Sequence, residues 1–510
     1  SHKSNLDHLV LQYALHENGH PPNHTAGGIN MNFFPVGPLV RRSGVFFIRR
    51  TFKDNAVYKF VLRQYVDYLV EKRFSMEWYV EGGRSRSGKL LPPRLGLLAY
   101  VVDAYRRGKA EDVFLIPVSI AYDQIQDVGD YVQEQRGGKK QKESFGWFVH
   151  VLRSLRRRFG DIHINFGEPL SVRTALGPAD PGAEPHPDED SIALQKLAFE
   201  VAVRIDRVTP ITPTSLVTLA LLGVGDRALT LAEVCVVLRE LVAYVRKRGL
   251  PTTTEALELD TPDDVRRALG ALIDSDVLAY FDEGPETVYL IGPDKHLAAA
   301  YYRNTIIHFF VNAAIAELAL VHTAERDGTD ATGEFFEEAL RLRDLLKFEF
   351  FFPATAAFRA EIAAEVALHD PVWQEALAVG GTEAAALLRR MQPFLAHRVL
   401  RPFLEAYQVV GDVLARQPVD APFDESDFLS RCLALGKQYQ LQRQIRSAES
   451  VSRALFQTAL NLARNRGLID PSKKDLTARR AVFAEEIRGA IRRVDAIDAL
   501  DAGRRAGLLL

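Results

Sequence analysis

The segment WYVEGGRSRSGK, residues 78–89, joins an apolar run to a glycine-rich turn that carries two arginines, two serines and a lysine. The run Met76–Val80 is typical of a β-strand, and it ends abruptly at Glu81-Gly82-Gly83. Main-chain amides of such a turn, together with the guanidinium groups of Arg84 and Arg86, are suited to binding a phosphate group. The segment therefore predicts a phosphate site at the end of a strand.

The same segment partly matches the P-loop of nucleotide-hydrolysing proteins, because four residues separate Gly83 from Gly88-Lys89. A P-loop continues with Ser or Thr to hold magnesium, whereas residue 90 is Leu. Arg84 and Arg86 would also crowd the space of a nucleoside triphosphate. A P-loop kinase or ATPase is thus a weaker alternative, which saturable, magnesium-dependent ATP binding would favour.

Outward from this segment, residues 1–208 alternate strand-like and helix-like stretches. Apolar side chains at helical spacing predict a helix over residues 58–73, and residues 113–121 and 162–166 are typical of strands. This alternation predicts an α/β domain with a mixed sheet flanked by helices.

Residues 209–510 are predicted to form a mostly α-helical region. Two apolar runs around Glu283-Gly284-Pro285 predict a hairpin, and with the helices before it residues 226–296 resemble a winged helix. We interpret this segment as a packing module rather than a nucleic-acid reader, because no dense basic stripe marks a recognition helix.

The composition is that of an ordinary globular protein: 510 residues, 47% hydrophobic and 25% charged, with a net charge of −2. Two cysteines indicate neither a disulfide framework nor a metal cluster. The longest uncharged run, residues 208–225, is broken by Pro210 and Pro213, so any membrane association is expected to be peripheral or monotopic. The chain has no initiator Met, and we expect that an N-terminal region is missing.

His2 and Asp7 are candidates for general base catalysis. A histidine accepts a proton near neutral pH, and a carboxylate on its other ring nitrogen fixes the tautomer. Five residues apart on one helix the two side chains would diverge by about 140°. We therefore expect His2 in a loop and Asp7 in the first turn of the following helix.

Two further segments add candidate residues. The apolar strand Val45–Ile48 ends in Arg49 and Arg50, and Lys53 follows, which suits phosphate binding but also a solvated strand end. Pro117 interrupts a buried-strand pattern, which predicts an edge or site-lining position or a plain core strand.

In this order the four segments resemble the four blocks of the membrane-bound bacterial glycerol-3-phosphate acyltransferase family. The blocks are HKSNLD at 2–7, FFIRRTFK at 46–53, VEGGRSRSGKLL at 80–91 and IPV at 116–118. Further similarity covers GINMNF at 28–33, PVGP at 35–38, RGGKKQKES at 136–144, FGEPL at 166–170, YYRN at 301–304 and FEFFFP at 348–353. The resemblance therefore extends over nearly the whole chain.

The resemblance implies an acyltransferase domain at residues 1–208 and a reaction that passes a fatty acyl group from acyl-CoA or acyl-carrier protein to sn-glycerol 3-phosphate. His2 would be the base and Asp7 its orienting partner. The implied substrate-binding residues are Arg49, Arg50, Lys53, Glu81, Gly83, Arg84, Ser85, Arg86 and Pro117, the last near the acyl donor.

The resemblance further implies the cytoplasmic face of the cell membrane, lipid contact, a possible oligomer, and no metal, bound cofactor or nucleic acid. The basic residues 136–142 and 153–158 would meet an acidic donor or anionic lipid, or simply face solvent. Three alternatives stay open: a dihydroxyacetone-phosphate acyltransferase, a lysophospholipid acyltransferase, and a membrane scaffold that keeps the fold without activity.

Overall fold

The computed structural model describes residues 1–32, 34, 36–49, 55–136, 160–182, 187–326, 330–419 and 423–507. These residues form two units, Ser1–Asp130 with Lys140–Pro210, and Tyr131–Lys139 with Ile211–Leu510. The predicted substrate residues Arg50 and Lys53, and most of the basic stretches 136–142 and 153–158, lie outside the described residues.

The first unit is built around short strands. Val45–Ile48, His24–Gly28 and Met76–Glu77 form a parallel sheet in that order, with Thr25 opposite both Val45 and Glu77. Two antiparallel pairs accompany it: Val118–Tyr122 with Ile162–Phe166, and Phe114–Leu115 with Leu170–Ser171. The α-helices are Asp7–Glu17, Val36–Arg42, Ala56–Glu71, Gly96–Arg106, Val172–Leu176 and Pro187–Arg207, and Ile29–Met31 is a 3₁₀ turn. The helix Val128–Gln135 begins in the first unit, and its residues from Tyr131 onward belong to the second.

The α/β character that the alternation predicts is confirmed, but the single mixed sheet is not. Within the described residues the parallel strands and the antiparallel pairs belong to separate sheets. An apolar cavity of about 670 Å³ in this unit is lined by residues of both groups of strands, Met76 of the parallel sheet and Val118 and Ile120 of an antiparallel pair.

The strand predicted over residues 113–121 is divided into Phe114–Leu115 and Val118–Tyr122, which pair with different partners. Pro117 stands at the break, and a proline has no N–H to donate to a continuous ladder. The chain also leaves strand conformation after Glu77, earlier than the predicted end at Val80.

The second unit is mostly helical, as predicted. Its helices are Pro213–Leu222, Leu231–Arg248, Thr254–Leu257, Pro262–Asp274, His296–Asn304, Val311–Ala324, Ala331–Leu346, Thr355–Ala367, Trp373–Leu377, Gly381–Arg390, Ala396–Val399, Arg401–Arg416, Glu425–Leu441, Arg453–Asn465 and Leu476–Arg505, with 3₁₀ turns at Ile307–Phe309 and Ala448–Ser450. The predicted hairpin is present as Ala279–Phe281 and Val288–Leu290, and Leu229–Thr230 adds a third antiparallel strand.

The YYRN segment at residues 301–304 has a structural role in this unit. The guanidinium of Arg303 is buried and donates to both carboxylate oxygens of Glu449, at 2.6 and 2.7 Å. A buried arginine needs such bidentate pairing to offset its desolvation.

Among the described residues, no helix has both the length and the apolar composition that crossing a bilayer requires.

Candidate active site

His2 and Asp7 meet where a loop becomes a helix. Residues 1–4 are irregular, and Asp7 is the first residue of the helix Asp7–Glu17. The His2 Nδ1 atom lies 2.8 Å from the Asp7 Oδ2 atom. Because a carboxylate accepts, Nδ1 is the donor of this pair, which leaves Nε2 as the basic nitrogen. The placement that the sequence predicts for this pair is confirmed.

The Asp7 carboxylate is fully buried and surrounded by donors. Its Oδ2 atom also accepts from the main-chain amides of Lys3, at 2.7 Å, and Ser4, at 3.0 Å. Its Oδ1 atom accepts from the Tyr122 hydroxyl at 2.5 Å. With each oxygen held, the carboxylate cannot rotate away from His2, so the imidazole has one fixed orientation.

Tyr79 covers one face of the His2 ring. The two rings stack with centroids 4.0 Å apart and an interplanar angle of 22°. The Tyr79 hydroxyl donates to the Glu77 carboxylate at 3.0 Å, and burial, reinforced by Glu77, holds the pKa of Tyr79 well above its ordinary value. Tyr79 therefore stays neutral and presents a rigid wall to the imidazole.

Glu81 ties the glycine-rich turn to the loop of His2. One of its oxygens accepts from the His2 amide at 2.5 Å and the other accepts from the Leu91 amide at 3.0 Å. The Ser85 amide in turn donates to the His2 carbonyl at 2.9 Å. Glu81 is buried, and this burial raises the pKa of its carboxyl group. Its geometry favours holding His2 in place over direct contact with a substrate.

Two glycines and a buried lysine shape the turn. Gly82 and Gly88 have φ values of +63° and +84°, and a Cβ atom on Gly82 would lie 2.8 Å from the Arg94 side chain. The ammonium of Lys3 donates to the Gly88 carbonyl, and burial lowers the pKa of this group. Ser85 is also buried, and its hydroxyl donates to the Lys89 carbonyl at 2.6 Å. Ser85 therefore contributes to the shape of the turn.

Asp127 links the turn to the first loop. Its Oδ2 atom accepts from the Ser4 hydroxyl at 2.9 Å, and its Oδ1 atom lies 3.7 Å from the Arg84 Nη1 atom. The Arg86 guanidinium donates to the Arg84 carbonyl at 3.1 Å. These contacts connect Arg84 to the segment that carries His2, and they connect Arg86 to Arg84 within the turn.

The other predicted substrate residues are placed differently. Gly83 is exposed in the turn. Arg49 is exposed beyond the strand Val45–Ile48, with its guanidinium carbon 5.7 Å from the centre of the Tyr58 ring. Pro117 lines the apolar cavity together with Ser1 and Tyr79.

Sequence reasoning missed Tyr79, Tyr122 and Asp127 as parts of the site. Tyr79 stands two residues before Glu81, and Tyr122 ends the strand that follows Pro117, so both lie next to recognised segments. Asp127 carries no motif of its own. An acid shortly after a site-lining strand is the signal that could have drawn attention to it.

Comparisons with known proteins identify the family of the chain. A family model described as the glycerol-3-phosphate acyltransferase C-terminal region matches residues 131–472, and one described as acyltransferase matches residues 1–121. The chain is 43% identical over 502 residues to a protein of Mycobacterium tuberculosis named "Putative acyltransferase plsB1", covering 98% of this chain and 79% of that protein. A Mycobacterium bovis protein of the same name shows the same values. A protein of Aeromonas hydrophila named glycerol-3-phosphate acyltransferase is 30% identical over 493 residues, covering 95% of this chain and 60% of the relative.

Proposed function

This chain belongs to the glycerol-3-phosphate acyltransferase family and is an acyltransferase, and from that premise we propose that it acylates the 1-hydroxyl of sn-glycerol 3-phosphate. The product is lysophosphatidic acid, which makes this the first step of phospholipid biosynthesis. The observation that carries the proposal is the His2–Asp7 pair, joined through Ser4 and Asp127 to Arg84. A base and a phosphate-binding cation therefore lie on connected segments.

The proposed reaction needs one base and no covalent enzyme intermediate. The His2 Nε2 atom takes the proton of the acceptor hydroxyl, and the oxygen attacks the thioester carbonyl carbon. A C–O bond forms and the C–S bond breaks, and the imidazolium returns the proton to the departing thiolate. Asp7 stabilises the imidazolium in between. The Nδ1–Oδ2 distance of 2.8 Å supports this role of Asp7.

The donor is proposed to be acyl-CoA or acyl-carrier protein, with Pro117 on the donor side of the site. The apolar lining next to Pro117 supports this assignment. Peripheral or monotopic association with the cytoplasmic face of the cell membrane, a possible oligomer, the absence of a metal or bound cofactor, and the winged-helix-like packing module at residues 226–296 all stay predictions.

A panel of acceptors tests the proposed function. We expect thiol release from palmitoyl-CoA to be fastest with sn-glycerol 3-phosphate and slower with dihydroxyacetone phosphate or a lysophospholipid. Preference for either of these two would identify the corresponding alternative acyltransferase. Inactivity with every acceptor and with both donor classes, under conditions in which a known enzyme is active, would favour the scaffold.

Replacement of Arg84 or Arg86 by alanine is expected to raise the KM for glycerol 3-phosphate about tenfold or more, because a hydrogen bond to a charged group contributes about 1.5–3 kcal/mol. Initial rates at saturating palmitoyl-CoA and varied acceptor measure this effect. Arg84→Lys keeps the positive charge but lacks the planar guanidinium that can donate two parallel hydrogen bonds. We expect its affinity for glycerol 3-phosphate to lie between those of Arg84→Ala and the wild-type chain.

The matched control is Arg173→Ala, which removes an exposed arginine from the same unit. Its KM for the acceptor should equal that of the wild-type protein. An unchanged KM in both Arg84→Ala and Arg86→Ala would show that these arginines do not bind the phosphate group.

A further inference from the structure

The helix Ala56–Glu71 packs one face into the core of the first unit. Leu62, Val66 and Val70 are buried there, against Val101 and Ala104 of the helix Gly96–Arg106. A surface helix ordinarily buries one apolar face against the core and carries polar residues on the opposite face. This helix departs from that pattern on its outer side.

The outer side carries a second apolar stripe. Val57, Phe60, Val61 and Tyr68 are each more than half exposed. Their spacing of three, four and eleven residues from Val57 places them within about 100° of one another around the helix axis. Single exposed apolar residues are common on soluble proteins, whereas a larger exposed apolar patch rimmed by polar residues indicates a contact surface.

The stripe continues past the end of the helix. Phe74 is nearly half exposed, and its ring centroid lies 6.2 Å from that of Tyr68. We define the outer face as Val57, Phe60, Val61, Tyr68 and Phe74. Aromatic rings at one end of an apolar stripe suit the boundary between lipid headgroups and acyl chains.

Cations predominate around the outer face. Arg63 and Lys72 are exposed at the two borders of the stripe and Arg73 follows in the turn after the helix, while Gln64 and Glu71 are exposed within the stripe itself. The two acids of the helix face cations from another segment: Asp67 pairs with Arg107, and Glu71 lies 3.2 Å from Lys109. The outer face therefore combines apolar side chains with an excess of positive charge.

We propose that the outer face binds an anionic lipid surface, with its apolar side chains at the level of the headgroups and the surrounding lysines and arginines on acidic phosphates. Each basic residue near such a surface adds to binding, and the attraction weakens as salt is added. The inference rests on the proposed function, because an enzyme that makes lysophosphatidic acid releases a product whose acyl chain partitions into such a surface.

The test is binding of the full chain to vesicles of phosphatidylcholine that contain a minority of phosphatidylglycerol, measured by sedimentation at several salt concentrations. The Phe60→Ser/Val61→Ser double variant should lower the vesicle partition coefficient about tenfold or more, because it removes two side chains of the size that carries most of the burial free energy. The control Val482→Ser changes an equally exposed apolar residue of the second unit and should leave partitioning unchanged.

Three results would overturn the proposal. The first is a wild-type chain that does not bind these vesicles at any salt concentration, and the second is equal binding by the double variant. The third is a wild-type dimer that becomes monomeric in the double variant while vesicle binding is unchanged, since the outer face would then be covered by a second copy.

Acyl transfer from a water-soluble octanoyl thioester to glycerol 3-phosphate, without vesicles, separates this inference from the proposed function. The double variant should keep the wild-type rate in that assay, which also shows that it is folded. A wild-type chain without octanoyl transfer in this assay would contradict the proposed function. The vesicle-binding measurements would still decide whether the outer face binds lipid.

Discussion

Replacement of His2 by alanine is expected to lower kcat for acylation of glycerol 3-phosphate by about 10³-fold, within the range that general base catalysis contributes. Alanine removes the contacts of the imidazole with Asp7 and Tyr79, whereas the contacts of His2 with Glu81 and Ser85 use its main-chain amide and carbonyl. Alanine keeps both of these contacts. Acceptor-dependent thiol release from palmitoyl-CoA measures the change, and the KM for the acceptor should stay near the wild-type value.

The matched control is His16→Ala, in the last turn of the helix Asp7–Glu17, where the imidazole is exposed. Its activity and melting temperature should equal those of the wild-type chain. A His2→Ala variant that kept its kcat within a few-fold of wild type would show that another group takes the proton.

Replacement of Asp7 by asparagine is expected to lower kcat by about 10²- to 10⁴-fold, since loss of the orienting carboxylate in an analogous acid–histidine pair has an effect of that size. The amide nitrogen of asparagine can donate to the His2 Nδ1 atom, which would move the imidazole proton to Nε2 and remove the base. Steady-state kinetics together with thermal unfolding measure the two consequences. Some loss of stability is expected, because the main-chain amides of Lys3 and Ser4 lose a charged acceptor.

Tyr122→Phe provides the matched comparison for Asp7→Asn. It removes the hydroxyl that donates to the Asp7 Oδ1 atom and leaves the His2–Asp7 contact in place. We expect a decrease in kcat of no more than about tenfold. The variant loses one charge-assisted hydrogen bond to Asp7, and Asp7 itself acts on the reaction only through His2. Equal losses in the two variants would indicate that Asp7 acts through the packing of its loop rather than on the imidazole.

The sequence was sufficient to place the segments of the site that carry both a chemical signal and local geometry. The five-residue separation of His2 and Asp7 required a loop followed by a helix, and the structure has that arrangement. The glycines of the 82–88 segment likewise indicated a turn, and two of them adopt positive φ values. These are short-range constraints, so the sequence contains most of what determines them.

Contacts between distant segments were not predictable in the same way. Tyr122 and Asp127 reach the first loop from more than 100 residues away, and no periodicity identifies which tyrosine or aspartate will do so. The family resemblance predicted that Glu81 binds substrate, and in the structure its two oxygens accept hydrogen bonds from main-chain amides. The choice between these roles depends on burial, which arises only when the turn packs on the loop of His2.

Strand pairing was also not predictable from the local apolar pattern of the sequence. The apolar run over residues 113–121 looked like one strand, but Pro117 divides it between two pairings. A mixed sheet was inferred from alternation alone, and alternation does not determine which edges meet. The cavity lined by Met76 and Val118 is a tertiary feature without a sequence signature.

The most direct test of the proposed reaction is the transfer of a radiolabelled palmitoyl group from palmitoyl-CoA to sn-glycerol 3-phosphate by the purified chain, with thiol release followed in parallel. We predict one labelled monoacylglycerol phosphate, acylated at the 1-hydroxyl, for each thiol released, and no thiol release without the acceptor. Thiol release that is independent of the acceptor, or label that remains on the protein after denaturation, would contradict direct transfer assisted by His2. Acceptor-dependent release with label at another hydroxyl would contradict the proposed position of attack.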